Sequence, residues 1–151
     1  MNWLIIRTDH SKESYVARQI IRLGFDAWVP SEMRATRPHA ARRLTAKAAA
    51  ISIKELPVLP KRIFAAVPDH LHAEIQSIRH LVGIERDAAL APLKIPASQI
   101  VQFRGEIDRL NTATLALAAK QTRKEKAKWR DIKEALQDMI EQAKAGMAQA
   151  A

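Results

Sequence analysis

The residue types that carry most enzyme chemistry are sparse and poorly spaced in this chain. Cys is absent from its 151 residues, which removes thiol catalysis, disulfide frameworks, Cys-ligated zinc and iron–sulfur clusters. The five histidines are His10, His39, His70, His72 and His80. On a helix His70 and His72 point about 200° apart, at ~3.6 residues per turn, and do not share a metal easily. Thr8, Asp9, His10 and Ser11 are triad residue types, but immediate neighbours cannot meet as a triad. Their expected use is a loop in which Asp9 or Ser11 caps the following helix. The four glycines stand alone at 24, 83, 105 and 146, so no Gly-rich phosphate loop exists. Glu85 with Asp87, and Glu106 with Asp108, lie beside bases and suit solvated faces better than acid–base work. No catalytic residue, metal or cofactor is expected, and the chain reads as a non-enzyme.

Charge is the stronger signal. Lys and Arg number 25 against 16 Asp and Glu, a net charge of +9. The excess sits in two segments. Residues 34–47 carry Arg34, Arg37, Arg42, Arg43 and Lys47 with no acid. Residues 120–133 carry seven bases, among them Lys120, Arg123, Lys124, Lys126, Lys128 and Arg130, against Glu125 and Asp131. The rest of the chain is close to neutral. Two basic patches on a neutral globule favour phosphate polymers or acidic protein surfaces as partners. The plainer alternative is that they only aid solubility. No apolar run reaches the ~18–20 residues of a membrane span, and the charged N-terminus does not read as a signal peptide.

These segments need a frame. Trp3–Arg7 reads as a buried strand. Val16, Ala17, Ile20 and Ile21 then recur at helical spacing, and Gly24 ends that helix. Residues 25–30 form a second strand, with Phe25, Ala27 and Val29 on one face and Trp28 on the other. From residue 31 to 50 the pattern dissolves into a basic hairpin arm or loop. Strands follow at 51–54 and 63–67. A helix opens at Asp69 with Leu71, Ile75, Ile78 and Leu81 as its stripe. A brief strand follows at 83–86, then a turn bracketed by Pro92 and Pro96. Ile100, Phe103, Ile107 and Leu110 mark a third helix. The first 110 residues thus read as an α+β domain, helices on a mostly antiparallel sheet. Residues 111–151 read as a helical extension whose stripe is Trp129, Ile132, Leu136, Met139, Ile140 and Ala143.

Four segments in this order resemble a known family. WLIIRTDHSKESYVARQIIRLGFDAWVP resembles the opening of the NusG/RfaH family's N-terminal domain. VLPKRIFAAVP resembles that family's Leu-Phe-Pro-Gly-Tyr strand after a basic arm. IQSIRHLVGIERD and SQIVQFRGEIDRL resemble its second helix, following strand and last helix. The resemblance covers about residues 2–110. It implies a transcription elongation factor seated on the clamp helices of RNA polymerase, bridging the DNA cleft and suppressing pausing. By position, its apolar polymerase-facing pocket implies Trp3, Leu59, Pro60, Arg62 and Ile63 here. The arm at 34–47 corresponds to the hairpin lying near upstream DNA. Two features depart from the family. Its Gly-Tyr is Lys61–Arg62 here, and an Ala-rich basic helix stands where the family carries a C-terminal KOW barrel.

The resemblance therefore implies a cytoplasmic, non-enzymatic elongation or antitermination factor, with RNA polymerase and DNA or nascent RNA as partners. It implies no membrane and no small-molecule substrate. An RNA-binding or ribosome-associated module is the alternative, and a helical oligomeriser a weaker one. The tail's stripe needs an apolar partner. That partner is either the domain's own polymerase-facing pocket or the polymerase. The basic run just before the stripe favours the polymerase, because a phosphate path rewards those charges.

Overall fold

The computed structural model describes residues 2–36, 52–117 and 123–145. Its centre is β1 (Asn2–Thr8), where β-branched and aromatic residues alternate between two buried faces. On one side β1 pairs antiparallel with β5 (Arg62–Ala66), which pairs with β2 (Asp26–Trp28). On the other side β6 (Leu81–Ile84) and β7 (Lys94–Pro96) take successive halves of the same edge of β1. The mixed helix-and-strand fold with antiparallel pairing is the α+β class that the sequence implies. β7 is a gain over the sequence reading, which made that segment a turn.

Strand alternation divides the core into two layers. Leu4, Ile6, Ala27, Ile63, Ala65 and Ile84 face one way, under Val16, Ala17 and Ile20 of α1 (Glu13–Arg22). Trp3, Ile5, Trp28, Phe64, Ala66 and Ile95 face the other way. Trp28 and Phe64, directly opposite on β2 and β5, stack with centroids 5.6 Å apart. Phe25, Ala27 and Val29 share the α1 layer and Trp28 does not, as the alternation predicts. Gly24 follows α1 with φ +95°, and its N–H closes the helix on the Ile21 carbonyl at 2.9 Å. Neither Asp9 nor Ser11 caps this helix. Ser11 is itself left-handed, and Asp9 Oδ2 lies 3.0 Å from His80 Nδ1 instead.

The second helix is shorter than its apolar spacing suggests. A 3-10 turn (Asp69–Leu71) leads into α2 (His72–Gln76). The Ser77 hydroxyl donates to the Glu74 carbonyl at 2.7 Å, and His80 turns left-handed, so Leu81 leaves the helix and begins β6. The third helix, α3 (Ala97–Leu117), runs on past Leu110. Arg104 on it reaches Asp26 at the end of β2, 3.8 Å away.

The basic arm begins as a two-stranded antiparallel ribbon, β3 (Ser31–Thr36) with β4 (Ser52–Pro57), registered from Ser31↔Pro57 to Thr36↔Ser52. It continues the β2–β5 pair outward. The Val58 N–H donates to the Pro30 carbonyl at 2.8 Å where the two ribbons meet. One side chain of α3 fixes its angle. Asn111 Oδ1 accepts from the Met33 N–H, and Asn111 Nδ2 donates to the Ser31 carbonyl, both at 2.8 Å.

The second apolar face of the sheet is closed by α3 and α4 (Arg123–Lys144) together. Ile100 and Ile107 come from α3; Trp129, Ile132, Leu136, Met139, Ile140 and Ala143 come from α4. Leu136 and Ile140 are fully buried. The tail is therefore part of the core. Leu136→Ala should lower unfolding free energy by about 2–5 kcal/mol, the usual penalty for a buried leucine cavity. Urea denaturation followed by far-UV and Trp signals checks this. A smaller expectation concerns Asp69, whose carboxylate accepts from Lys94 Nζ at 3.0 Å. That hydrogen bond, with the lysine's charge, holds Asp69 below its ordinary pKa. The contact stabilises above the ordinary carboxylate pKa and fades as pH falls through the lowered one. In Lys94→Ala, an NMR titration should find the Asp69 pKa raised.

Candidate functional site

The five residues of the expected pocket do not form one exposed surface. Trp3 and Leu59 are buried, 7% and 2% exposed, in the cluster that also holds Trp129, Ile132 and Leu136 of α4. Ile63 lies on the opposite layer with Val16 and Ile20, because it is one residue out of phase with Arg62 and Phe64. Pro60 is exposed at the turn between β4 and β5. Arg62 is half-buried, its Nε 3.5 Å from Glu85 Oε1. So Trp3 and Leu59 share a face, Pro60 and Arg62 rim it, and Ile63 backs the sheet.

The turn at 59–62 explains one departure from the family motif. Lys61 has φ +66°, the left-handed region that favours glycine. Its backbone N–H donates to Glu13 Oε1 at 2.9 Å, and Glu13 is buried in the first turn of α1. Glu13 thus holds an unfavourable backbone in place and fixes the turn carrying Leu59 and Pro60 against α1. Sequence reasoning missed it. The available signal was a lone acid opening an amphipathic helix, which ordinarily only complements the helix dipole.

The tail's stripe has the domain itself as its partner. The sequence reading favoured the polymerase, on the strength of the basic run. The structure separates those two features onto different sides of one helix. Apolar residues of α4 seal the sheet, while Lys126, Arg130 and Lys133, all exposed, line an open cleft of about 990 Å³. The spacing of these cations, four and three residues apart, puts them on one helical face. The far wall holds His10, Ser14, Arg34 and Glu55. Arg34 is exposed and pairs with Glu32, Nη2 to Oε2 at 3.1 Å. Lys124 is exposed near the start of α4, and Lys128 lines a smaller hollow between α3 and α4 with Glu106 and Arg109. Arg123 opens α4. Arg37, Arg42, Arg43, Lys47 and Lys120 lie outside the described residues.

The arrangement is an apolar sheet face closed by helices, a ribbon projecting from one end, and a rim of charged residues. A family model for NusG, described as transcription termination factor NusG, matches residues 1–104. The chain belongs to the NusG family. No curated protein matches it. NusG proteins are transcription elongation and termination factors that act with RNA polymerase and nucleic acid, and they are not known as enzymes. The NusG match stops within α3, so α4, which shares the core cluster of Trp3 and Leu59, lies outside the matched segment. Within this NusG chain the turn at Lys61 invites a direct test. Lys61→Gly should raise stability by about 1 kcal/mol, because glycine relieves the left-handed strain. Thermal and urea melts of the two proteins check this.

Proposed function

We propose that this chain is a transcription elongation or antitermination factor that binds RNA polymerase in its clamp region through the sheet face carrying Trp3 and Leu59. Pro60 and Arg62 supply the rim. The β3–β4 arm and the basic residues of the tail approach nearby nucleic acid. Such a factor needs no chemistry of its own. It acts by binding the elongating polymerase more tightly than the paused one, which shifts the population toward elongation. Its place of action is the cytoplasmic transcription complex.

The observation that supports this reading is the NusG match together with an apolar sheet face that shares its core cluster with a helix outside the matched span. The covering helix adds regulation. With α4 docked, Trp3 and Leu59 are unavailable, so polymerase binding requires the helix to leave. The tail acts as a mask in the free protein, and its cations become available to nucleic acid from the same helix. The α+β unit, which runs through α3 to Leu117 and so past the expected boundary at 110, and the α4 extension exchange one partner for another.

Retention of the chain on immobilised core RNA polymerase tests both statements. Leu136→Asp buries a charge in the α4 stripe and should release the helix while leaving β1–β7 folded, as read by circular dichroism. The variant should be retained several-fold more strongly than the parent. Deleting residues 118–151 should do the same. Equal retention of parent and variants would remove the mask, and no retention of any form would remove the polymerase assignment.

A further inference from the structure

The cleft between the ribbon and α4 has two unlike walls. Consecutive residues at the end of β4, Glu55, Leu56, Pro57 and Val58, line it, whereas β3 contributes only the alternate pair Glu32 and Arg34. Glu32 stands directly opposite Leu56, so Glu32, Arg34 and Leu56 share one face of the ribbon. By the same alternation Glu55 and Pro57 belong to the other face. They reach the cleft only around the outer edge of β4. The cleft therefore lies over one ribbon face and along that edge.

That edge is open. The Val58 N–H donates to the Pro30 carbonyl, which makes Ser31↔Pro57 a pair without mutual hydrogen bonds. An antiparallel ladder alternates, so Met33↔Glu55 and Ala35↔Ile53 are pairs of the same kind, and their N–H and C=O groups point away from the partner strand. On β3 such groups are taken, because Asn111 binds the Met33 N–H and the Ser31 carbonyl. On β4 the same geometry turns out the N–H and C=O of Ile53 and Glu55 and the C=O of Pro57. Among the described residues nothing hydrogen-bonds to them. The opposite wall is cationic. Among the described residues Lys126, Arg130 and Lys133 make no ion pair, whereas Lys144 on the same helix makes two. Of the acids lining the cleft, Glu13 is buried against the Lys61 N–H and Glu32 is paired with Arg34. Three unpaired cations thus face one exposed carboxylate, that of Glu55.

We propose that this cleft docks an extended acidic segment of a partner protein, which adds as a third strand to the edge of β4 and lays alternate carboxylates along Lys126, Arg130 and Lys133. Main-chain hydrogen bonds supply affinity in strand addition, and side chains at every second position supply specificity. The spacings agree. Four and three residues of helix separate the cations by about 6 and 4.5 Å along its axis, and alternate residues of a strand are about 6.7 Å apart. Long side chains absorb the difference. A nucleic acid could meet the cations but has no peptide groups to offer the edge. The occupant is not another part of this chain, since residues 37–51, 118–122 and 146–151 contain no Asp or Glu. A second copy is a poor occupant, because its arm brings further cations and Asn111 already holds its β3 edge. The cleft needs α4 in place, so occupancy also favours the docked tail. The site does not depend on the polymerase reading.

Fluorescence anisotropy on the full chain, with a short labelled peptide alternating Glu and Val, tests the proposal. The parent should bind it and should not bind a peptide alternating Lys and Val. The double variant R130A/K133A should bind roughly five- to tenfold more weakly, the effect of two exposed ion pairs. Glu55→Pro deletes an edge N–H that the ribbon itself does not use, and proline is tolerated at such a position. It should weaken binding about fivefold or more, whereas Glu55→Ala, which loses only the carboxylate, should bind as tightly as the parent or more tightly. Methylating the peptide's backbone nitrogens at alternate residues tests the same bonds with the parent protein, free of any folding defect. One phase of methylation should abolish binding and the other should spare it. Equal binding by all the Glu-Val peptides, methylated or not, would overturn strand addition. Absence of binding by the parent, or unchanged binding by R130A/K133A, would overturn the site. Displacement of the peptide by oligo-thymidine that binds Glu55→Pro and parent alike would make the cleft a nucleic-acid contact and overturn the protein partner.

Discussion

A sheet whose strands alternate large apolar residues has two faces that water cannot be left to cover, and most of this molecule follows from that. Trp3 and Ile5 point one way from β1, Leu4 and Ile6 the other. One full-length helix, α1, with Ile75 of the short α2 beside it, covers the layer of small and medium side chains around Ala27 and Ala65. The layer with Trp3, Trp28 and Phe64 is larger and takes two helices, one of them beyond the span that the NusG family model matches. Burying each large side chain contributes on the order of 1.5–3 kcal/mol. That is why an Ala-rich, highly charged helix such as α4 stays docked although only a narrow stripe of it is apolar. The same arrangement makes docking conditional, since any partner offering a comparable apolar surface competes for the same side chains.

Much of this was legible in the sequence, and the losses have physical causes. Period-2 alternation placed Phe25, Ala27 and Val29 against Trp28 correctly. The stripe of α4 was also correct, because 3.6-residue periodicity survives in a long helix. Ile63 was grouped with Trp3 by family position, yet the strand's own alternation puts it on the other layer. The helix expected to reach Leu81 stops near Ser77, where a hydroxyl and a left-handed histidine outweigh apolar spacing. Asn111 stood where composition changed; its amide turns out to align the arm. Glu13, Glu85 and Arg7 carry site geometry through partners 48 to 78 residues away, and no local pattern announces such pairings.

Charge shows the same division between local and assembled information. The two basic runs were visible because their residues are contiguous. On the helix, however, the run splits, with Lys126, Arg130 and Lys133 facing the cleft and Lys128 facing α3. The cations around Glu85 come from β1, β5, the loop after β6 and the end of α4. Three of them converge on one largely buried carboxylate, with Glu141 also beside Lys144, so this surface joins acids and bases that no segment-by-segment tally pairs. Lys144 also links that surface to the docked tail, which makes the local field depend on where the helix is.

The amide of Asn111 has a consequence for how the chain behaves in a crowd. A two-stranded ribbon has two free edges, and the outward N–H and C=O groups of an edge are a template on which another copy can add a strand. The Met33 N–H and the Ser31 carbonyl are such groups on β3, and Asn111 occupies both. Glu32 and Arg34 add charge beside them. At the other rim, β2 is only three residues long and Arg104 reaches across to Asp26. The arm can therefore project from the domain while its base resists edge-to-edge polymerisation, so a protein that must present a strand pair to its surroundings is protected from pairing with itself.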